Sequence, residues 1–250
     1  MLKAGVTALV TGGSGGIGSA IVRMLADQGV EVVAASNDEV SLKALEGVAN
    51  IETCFVDVTD EARMRELFGE RKIDILVNAA GVLGVTGTYY SIPHASAQRI
   101  MDVNVVGVHN ALSVVVPGMV SRNHGHIINI GSIAGPYPSA GQPMYSASKA
   151  AIHIMSANLR LELFGTDVRV TELRPGRGRS GMHAEMFEGD HARAAELLYD
   201  PYECMNPGDV ADVARFVLAA PPHVCVAQIE VVPTHQVIGG TKMYQRTTAK

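Results

Sequence analysis

A tyrosine and a lysine four residues apart, Tyr145 and Lys149, are the pair in this chain best suited to moving a proton. On a helix that spacing puts both side chains on one face. A free phenol has a pKa of about 10. An ammonium beside it favours the phenolate and lowers that value, so Tyr145 would exchange a proton with a substrate alcohol or carbonyl. Upstream, Asn129-Ile130-Gly131-Ser132 closes an apolar run, and Ser132 is placed to hydrogen-bond the reacting oxygen. A second constellation is glycine-rich: Thr11-Gly12-Gly13-Ser14-Gly15-Gly16-Ile17-Gly18. Glycines allow positive φ and close backbone approach, and a helix start presents free N–H groups to a pyrophosphate. Gly13-x-Gly15-x-x-Gly18 fits the dinucleotide fingerprint, and Gly12-x-x-x-Gly16-x-Gly18 is a second, overlapping spacing. Taken alone, Tyr-x-x-x-Lys is usually an ordinary helix surface, so its meaning depends on the elements around it.

Those elements are legible as alternating segments. Short, continuous apolar runs lie at Thr7–Val10, Glu31–Ala35, Ile51–Val56, Ile73–Val77, His126–Ile130, Val168–Leu173 and Ala227–Val232. Continuous rather than alternating runs are expected of strands covered on both faces in a parallel sheet. Between them, helical patterns span about 16–28, 39–47, 60–69, 95–119, 143–165 and 207–219. Asp60 falls where the third helix would be capped, and Asn206-Pro207 is a capping residue followed by a first-turn proline. Strand–helix alternation with short links predicts a doubly wound α/β sheet, parallel, with helices on both faces. One dinucleotide-binding catalytic domain over 1–250 accounts for the chain, with residues about 176–206 inserted over the ligand crevice. The crevice is expected outside the carboxyl ends of the strands, where both the glycine loop and Ser132 fall.

The end of the second run bears on cofactor choice. An acidic residue there holds the ribose 2′-hydroxyl in many such domains. Here the place falls on Ser36-Asn37, with no carboxylate, and no Arg or Lys stands at Ser14, Gly15, Ser36 or Asn37 to neutralise a 2′-phosphate. Asp38 and Glu39 follow at once and would repel that dianion. NAD is therefore the expected cofactor, with NADP as the alternative.

Together, Thr11-Gly12-x-x-x-Gly16-x-Gly18, Asp57, Asn78-Ala79-Ala80-Gly81, Asn104, Ser132, Tyr145-x-x-x-Lys149 and Pro175-Gly176 resemble the short-chain dehydrogenase/reductase family, in its compact branch of Rossmann-like domains. The likeness covers essentially the whole chain. It implies that Tyr145 is the general acid/base, that Lys149 lowers its pKa and binds the nicotinamide ribose, and that Ser132 orients the substrate. Asn104 would hold a water extending the proton relay. Asp57 would contact the adenine amino group, and Asn78, Ala80 and Gly81 would line the adenine ribose. Ser14, Ile17, Val58, Gly178 and Ser180 would complete the cofactor wall, and Pro175-Gly176 would pass the nicotinamide. Residues Met119–Ser132 and the tail from Pro222-His223 to Pro233 resemble the family's 3-hydroxy acid, or serine-type, dehydrogenases. The implied reaction is hydride transfer between nicotinamide and a small hydroxy compound, such as a short hydroxy acid or hydroxy sulfonate. The resemblance also implies a homo-oligomer, dimer or tetramer. The chain departs from the pattern by lacking an Arg near Asn37 and by carrying Arg177-Gly178-Arg179 where members usually have apolar residues.

Arg177 and Arg179 suit bidentate recognition of a substrate carboxylate, sulfonate or phosphate. The plainer alternative is a solvated loop or contact with the cofactor's own phosphates. Gln142 and Met144 flank Tyr145 and are further substrate candidates. Met182 and Met186 form a lid pair or simple core. His183 and His191 flank the insertion, and Arg174 reads as structural. His124-Gly125-His126 puts two imidazoles on one face of a strand, but no third ligand is suggested nearby, so no metal is expected. A hydrophobic share of 47% against 18% charged residues excludes disorder. A net charge of −5 argues against a nucleic-acid binder. No uninterrupted run reaches membrane-spanning length; the nearest, Val103–Val120, contains Asn104, His109, Asn110 and Pro117. Cys54, Cys204 and Cys225 are far apart in sequence and form no zinc or disulfide pattern. Cleaving the N-terminus as a signal would remove the first strand. A cytoplasmic protein is the expectation. The rival reading is a non-catalytic dinucleotide-binding regulator on the same fold, and a third is a lyase or isomerase that reuses Tyr145.

Overall fold

The structure is a computed structural model that describes residues 5–237 and 242–244. The expectation that involves Met1-Leu2-Lys3, and the ends of the single domain expected over 1–250, lie outside the described residues. In chain order the elements are β1 (Thr7–Thr11), α1 (Gly16–Asp27), β2 (Glu31–Ser36), α2 (Glu39–Leu42, continued by a 3-10 turn), β3 (Ile51–Phe55), α3 (Glu61–Phe68), β4 (Ile75–Asn78), α4 (His94–Met101), α5 (Gly107–Ser121), β5 (Gly125–Ile130), α6 (Pro143–Glu162), β6 (Val168–Pro175), α7 (His191–Leu198), α8 (Pro207–Ala219) and β7 (Gln228–Val231).

The strands form one seven-stranded sheet in the order β3-β2-β1-β4-β5-β6-β7, and every pairing is parallel. This is the doubly wound, Rossmann-like arrangement. Strand order reverses between β1 and β4, so a crevice opens there at the carboxyl ends. Alternation along β1 shows why both faces need cover. Ala8 and Val10 pack with Ile21, Leu25, Val210 and Ala214 of α1 and α8. Leu9 faces the other way, among Met64, Phe68, Ala111 and Ile152 of α3, α5 and α6. Burial of such side chains contributes roughly 1.5–3 kcal/mol each, so the layers hold without covalent staples. Asp60 caps α3 by accepting from the Arg63 N–H at 2.9 Å. Before α8, the Asp209 carboxylate accepts from the Asn206 N–H at 2.7 Å.

Three segments differ from the sequence expectation. The helix expected over 95–119 is α4, then a π-helical turn at Asp102–Val106, then α5. Such turns recur at functional sites, and this one carries Asn104. Helix 39–47 is only four α-helical residues before its 3-10 turn. The inserted segment 176–206 has its own structure: a 3-10 stretch over Gly181–Phe187 and then α7.

Candidate active site

The glycine loop forms a cradle at the carboxyl end of β1. Gly12 has φ +64°, and a Cβ there would lie 2.7 Å from the Ala80 backbone. A Cβ on Gly18 would lie 2.0 Å from the Gly12 carbonyl oxygen. Only glycine fits either position. The N-cap of α1 is Gly15, without a capping side chain, and no acidic residue stands in the first turn. The helix N-terminus is thus open to an anion, and the chain's residues fit a dinucleotide pyrophosphate.

From this cradle a cleft of about 680 Å³ runs to Tyr145, a size suited to a cofactor with a small substrate. Its far wall at the end of β2 is uncharged or anionic. Ser36 Oγ accepts from the Ser14 hydroxyl at 2.7 Å and from the Asp38 N–H at 3.1 Å. Asn37 Nδ2 donates to Asp57 Oδ2 at 2.8 Å. Burial pushes the Asp57 carboxyl up, but hydrogen bonds from Thr59 and Asn37 and the Arg99 charge outweigh it, and the net shift is downward. Hydrogen bonds from Ser41 hold the Asp38 carboxyl low as well. Both are therefore carboxylates at neutral pH. Arg99 is the nearby cation, 3.8 Å from Asp57.

At the other end, α6 carries Tyr145 and Lys149 on one face, opposite Ser132. Lys149 is buried, and its Nζ donates to the Ile130 carbonyl at 2.9 Å. It lies 5.7 Å from the Tyr145 ring centroid. Burial pushes the Lys149 ammonium down to about 8, with the Glu172 charge opposing. Burial raises the Tyr145 phenol above its ordinary value, and the hydrogen bond with Ser132 offsets part of this. Lowering of the tyrosine by lysine, anticipated from their spacing, is thus not what governs the cleft as it stands. Desolvation dominates, and the phenol is protonated at neutral pH. Ser132 Oγ also accepts from the Ala134 N–H at 3.1 Å, which fixes its orientation.

Asn104 stands behind this end, fully buried. Its Oδ1 accepts from the Val82 N–H at 2.8 Å, and its Nδ2 donates to the Val82 carbonyl and to Ser148 Oγ at 2.9 and 3.0 Å. It therefore ties the loop after β4 to α6. A point one bond out from Gly81 Cα lies 3.3 Å from Asn104 Oδ1 and 3.7 Å from Lys149 Nζ, so the two polar atoms converge on one place.

The inserted segment closes over the cleft. Glu185 reaches across it and accepts from the Gly84 N–H at 2.8 Å. The Met182 methyl lies near Gly81, and Met186 Sδ sits 3.9 Å from Gln142 Nε2. His183 Nδ1 is 2.6 Å from the Tyr199 hydroxyl, and burial, with the Arg177 charge, pushes it down to about 4.

The chain matches the short chain dehydrogenase family over residues 6–191. This chain belongs to that family. Among its relatives, the NADP-dependent 3-hydroxy acid dehydrogenase YdfG of Escherichia coli K12 is 35% identical over 246 residues, covering 95% of this chain and 99% of that protein. The uncharacterized short-chain type dehydrogenase/reductase y4eK of Sinorhizobium fredii is 36% identical over 236 residues, covering 94% of each. A solved closed form of serine dehydrogenase complexed with NADP+ superposes with a TM-score of 0.89 at 34% identity, over 96% of this chain and all of that one. Serine dehydrogenase from Escherichia coli gives a TM-score of 0.78 at 33% identity, over 96% of this chain and all of that one.

For this short-chain dehydrogenase, Ser132, Tyr145 and Lys149 line the cleft, as do the expected cofactor residues except Asn78 and the substrate candidates Gln142, Arg177, Arg179 and Met182; Asn104 and the substrate candidate Met144 are not in its wall. Asn78 points into the layer between sheet and helix. Its Nδ2 donates to Asn129 Oδ1 at 2.8 Å, and Asn129 donates on to Ser156 of α6. Arg177 and Arg179 reach the cleft edge but stack on Tyr202 and Tyr199, and Arg179 also pairs with Asp200 at 3.4 Å. His126 lies in the core against Thr171 at 2.9 Å, and burial pushes it down to about 3. Sequence reasoning missed Glu185 and Gln236, whose Oε1 accepts from the Arg177 N–H at 2.8 Å. Neither carries a local signal, since each acts across a long stretch of chain.

Proposed function

We propose that this dehydrogenase moves a hydride between a nicotinamide dinucleotide and the carbinol carbon of a small hydroxy acid. The observation that carries the reading is the meeting of Ser132, Tyr145 and Lys149 at one end of a cleft whose other end is a pyrophosphate cradle. When bound, the nicotinamide supplies the hydride chemistry. The protein's own part is proton transfer and orientation. Ser132 holds the substrate oxygen. Tyr145 gives it a proton from its hydroxyl in reduction and, as the phenolate, takes one in oxidation. Lys149, anchored on Ile130, would offer its remaining N–H donors to a bound cofactor's ribose, with Asn104 holding the wall behind it. Full-length likeness to a 3-hydroxy acid dehydrogenase supports the substrate class, and Arg177 is the residue proposed for the carboxylate. A regulator that only sensed a dinucleotide would need no such proton-transfer end.

The relatives' names point to NADP, whereas this chain's own wall favours NAD. A 2′-phosphate would face Asp38 and Asp57, both held as carboxylates, with Arg99 beside Asp57 as the offsetting cation. Initial rates with NAD and NADP, across serine, 3-hydroxypropionate, 3-hydroxyisobutyrate, a hydroxyalkyl sulfonate and neutral secondary alcohols, test both readings. The expected result is turnover of the anionic members, faster with NAD and weakened by Arg177→Ala. Asn37→Arg, which places a cation beside the ribose, should swing the ratio toward NADP by roughly tenfold, about 1.4 kcal/mol. Turnover of neutral alcohols alone would refute the hydroxy-acid reading. Chemistry without a change in nicotinamide absorbance would favour a lyase or isomerase.

The proposal extends to assembly and location. Ile154, Leu161 and Phe164 on and just after α6 are 55%, 75% and 92% exposed, and Val106 just before α5 and Val120 within it are 44% and 42% exposed. A helical face with this much apolar surface fits a homo-oligomer. Light scattering should return a dimer or tetramer mass, and a monomer at micromolar concentration would exclude it. The three free cysteines fit the reducing cytoplasm.

A further inference from the structure

Behind the wall that carries Ser132 lies a buried charge cluster with no part in the steps above. Glu172, in the middle of β6, is fully buried. Its Oε2 accepts from Arg174 Nη2 at 2.8 Å and lies 2.9 Å from His153 Nδ1. Its Oε1 has no hydrogen-bond partner among the described residues. That oxygen lies against Gly131, a residue of the cleft wall: a Cβ built on Gly131 would lie 2.7 Å from it. Lys149 Nζ is held on the carbonyl of Ile130, the residue just before. The unpaired carboxylate oxygen and the ammonium thus abut consecutive residues of one strand end. Resting on the reading of Lys149 as an ammonium donor, we propose that Glu172 is a positioning residue that keeps Lys149 protonated and so sets the upper pH limit of turnover.

The surroundings of Lys149 leave Glu172 as the anion for this task. On α6 its neighbours are Tyr145, one turn before, and His153, one turn after. On β6 the neighbour is Glu172, whose own ion-pair partner is Arg174. The π turn presents the neutral Asn104, the closing segment presents Met182, and β5 presents a backbone carbonyl. Burial works against the ammonium here, and Glu172 is the charge that opposes it. Arg174 faces the other carboxylate oxygen, which leaves Oε1 unpaired against Gly131, next to the residue whose carbonyl holds Lys149.

The test uses Glu172→Gln and the double variant Glu172→Gln/Arg174→Met. The second leaves no unpaired buried cation on β6 and guards against loss of folding. In the cofactor-free protein labelled with [13C]lysine, the Lys149 resonance should titrate near pH 8 in the wild type. It should titrate about one pH unit lower in Glu172→Gln, and between the two in the double variant. In turnover, the alkaline limb of the pH–rate profile should move down in the same order. A merely structural role would lower Tm or rate and leave both midpoints in place. A Lys149 midpoint unchanged in a folded variant overturns the proposal, as does a limb that moves while the lysine does not. If Glu172→Gln does not fold, the double variant decides by the same criteria. Because the titration needs neither cofactor nor substrate, it stands apart from any failure of the hydroxy-acid reading.

Discussion

Replacing Tyr145 by Phe should lower kcat by about a thousandfold, within the range that a positioned acid/base supplies, while the dissociation constant of the cofactor changes only a few-fold. The asymmetry follows from what the hydroxyl touches. Ser132 is its hydrogen-bond partner, and its oxygen takes part in neither the glycine cradle nor the Ser36–Asn37 wall. Phe keeps the ring, so the packing under Lys149 survives. The variant loses the group that moves the proton, and water is a poor substitute in a site whose burial raises the phenol's own pKa. Fluorescence titration of cofactor and steady-state kinetics on one preparation separate the two effects. Turnover retained above a tenth of the wild-type rate would show that another group carries the proton. A parallel loss of cofactor affinity would instead mean that the ring, not the hydroxyl, had been the relevant feature.

The layers were readable in the sequence because both faces of the sheet are covered. Val10 and Leu9 serve opposite layers yet are equally apolar, so runs such as Thr7–Val10 appear as continuous hydrophobic segments between amphipathic helices. The cradle was readable because steric demand at Gly12 and Gly18 leaves one residue type. What escaped depends on contacts between distant residues. The Asn78-Ala79-Ala80-Gly81 stretch reads as one cofactor-lining unit, but strand geometry turns successive side chains to opposite faces, and Asn78 goes inward to Asn129, its neighbour in register. The π turn carries Asn104, whose side-chain partners are Val82 and Ser148, far from it in sequence. Glu185 meets Gly84 from more than a hundred residues away. Arg177 and Arg179 read as candidate anion ligands from type alone, but the stacking on Tyr202 and Tyr199 that sets where their guanidinium groups lie is visible only in the fold. The buried Glu172 had no signal at all, since a lone acidic residue in an apolar run is indistinguishable from one at an exposed edge.

Gly18→Ala should weaken cofactor binding on the order of a hundredfold, or about 3 kcal/mol, and destabilise the fold by roughly 1–3 kcal/mol. The new methyl would meet the Gly12 carbonyl oxygen at 2.0 Å. Backbone atoms stand on both sides of the contact, so no rotamer change relieves it. Gly12 cannot retreat, because it lies against Ala80, where even a Cβ of its own would come within 2.7 Å. The first turn of α1 must therefore lift away from β1. This turn aims the helix N–H groups at the pyrophosphate, and hydrogen bonds to a charged group contribute about 1.5–3 kcal/mol each; losing one or two accounts for the hundredfold. The chemistry at Tyr145 lies at the other end of the cleft, so kcat at saturating cofactor should fall far less than affinity. Calorimetric binding and thermal unfolding measure the two effects. Near-normal affinity in a folded Gly18→Ala protein would mean that the pyrophosphate does not rest on this helix start, and the cradle would have to be placed elsewhere along the cleft.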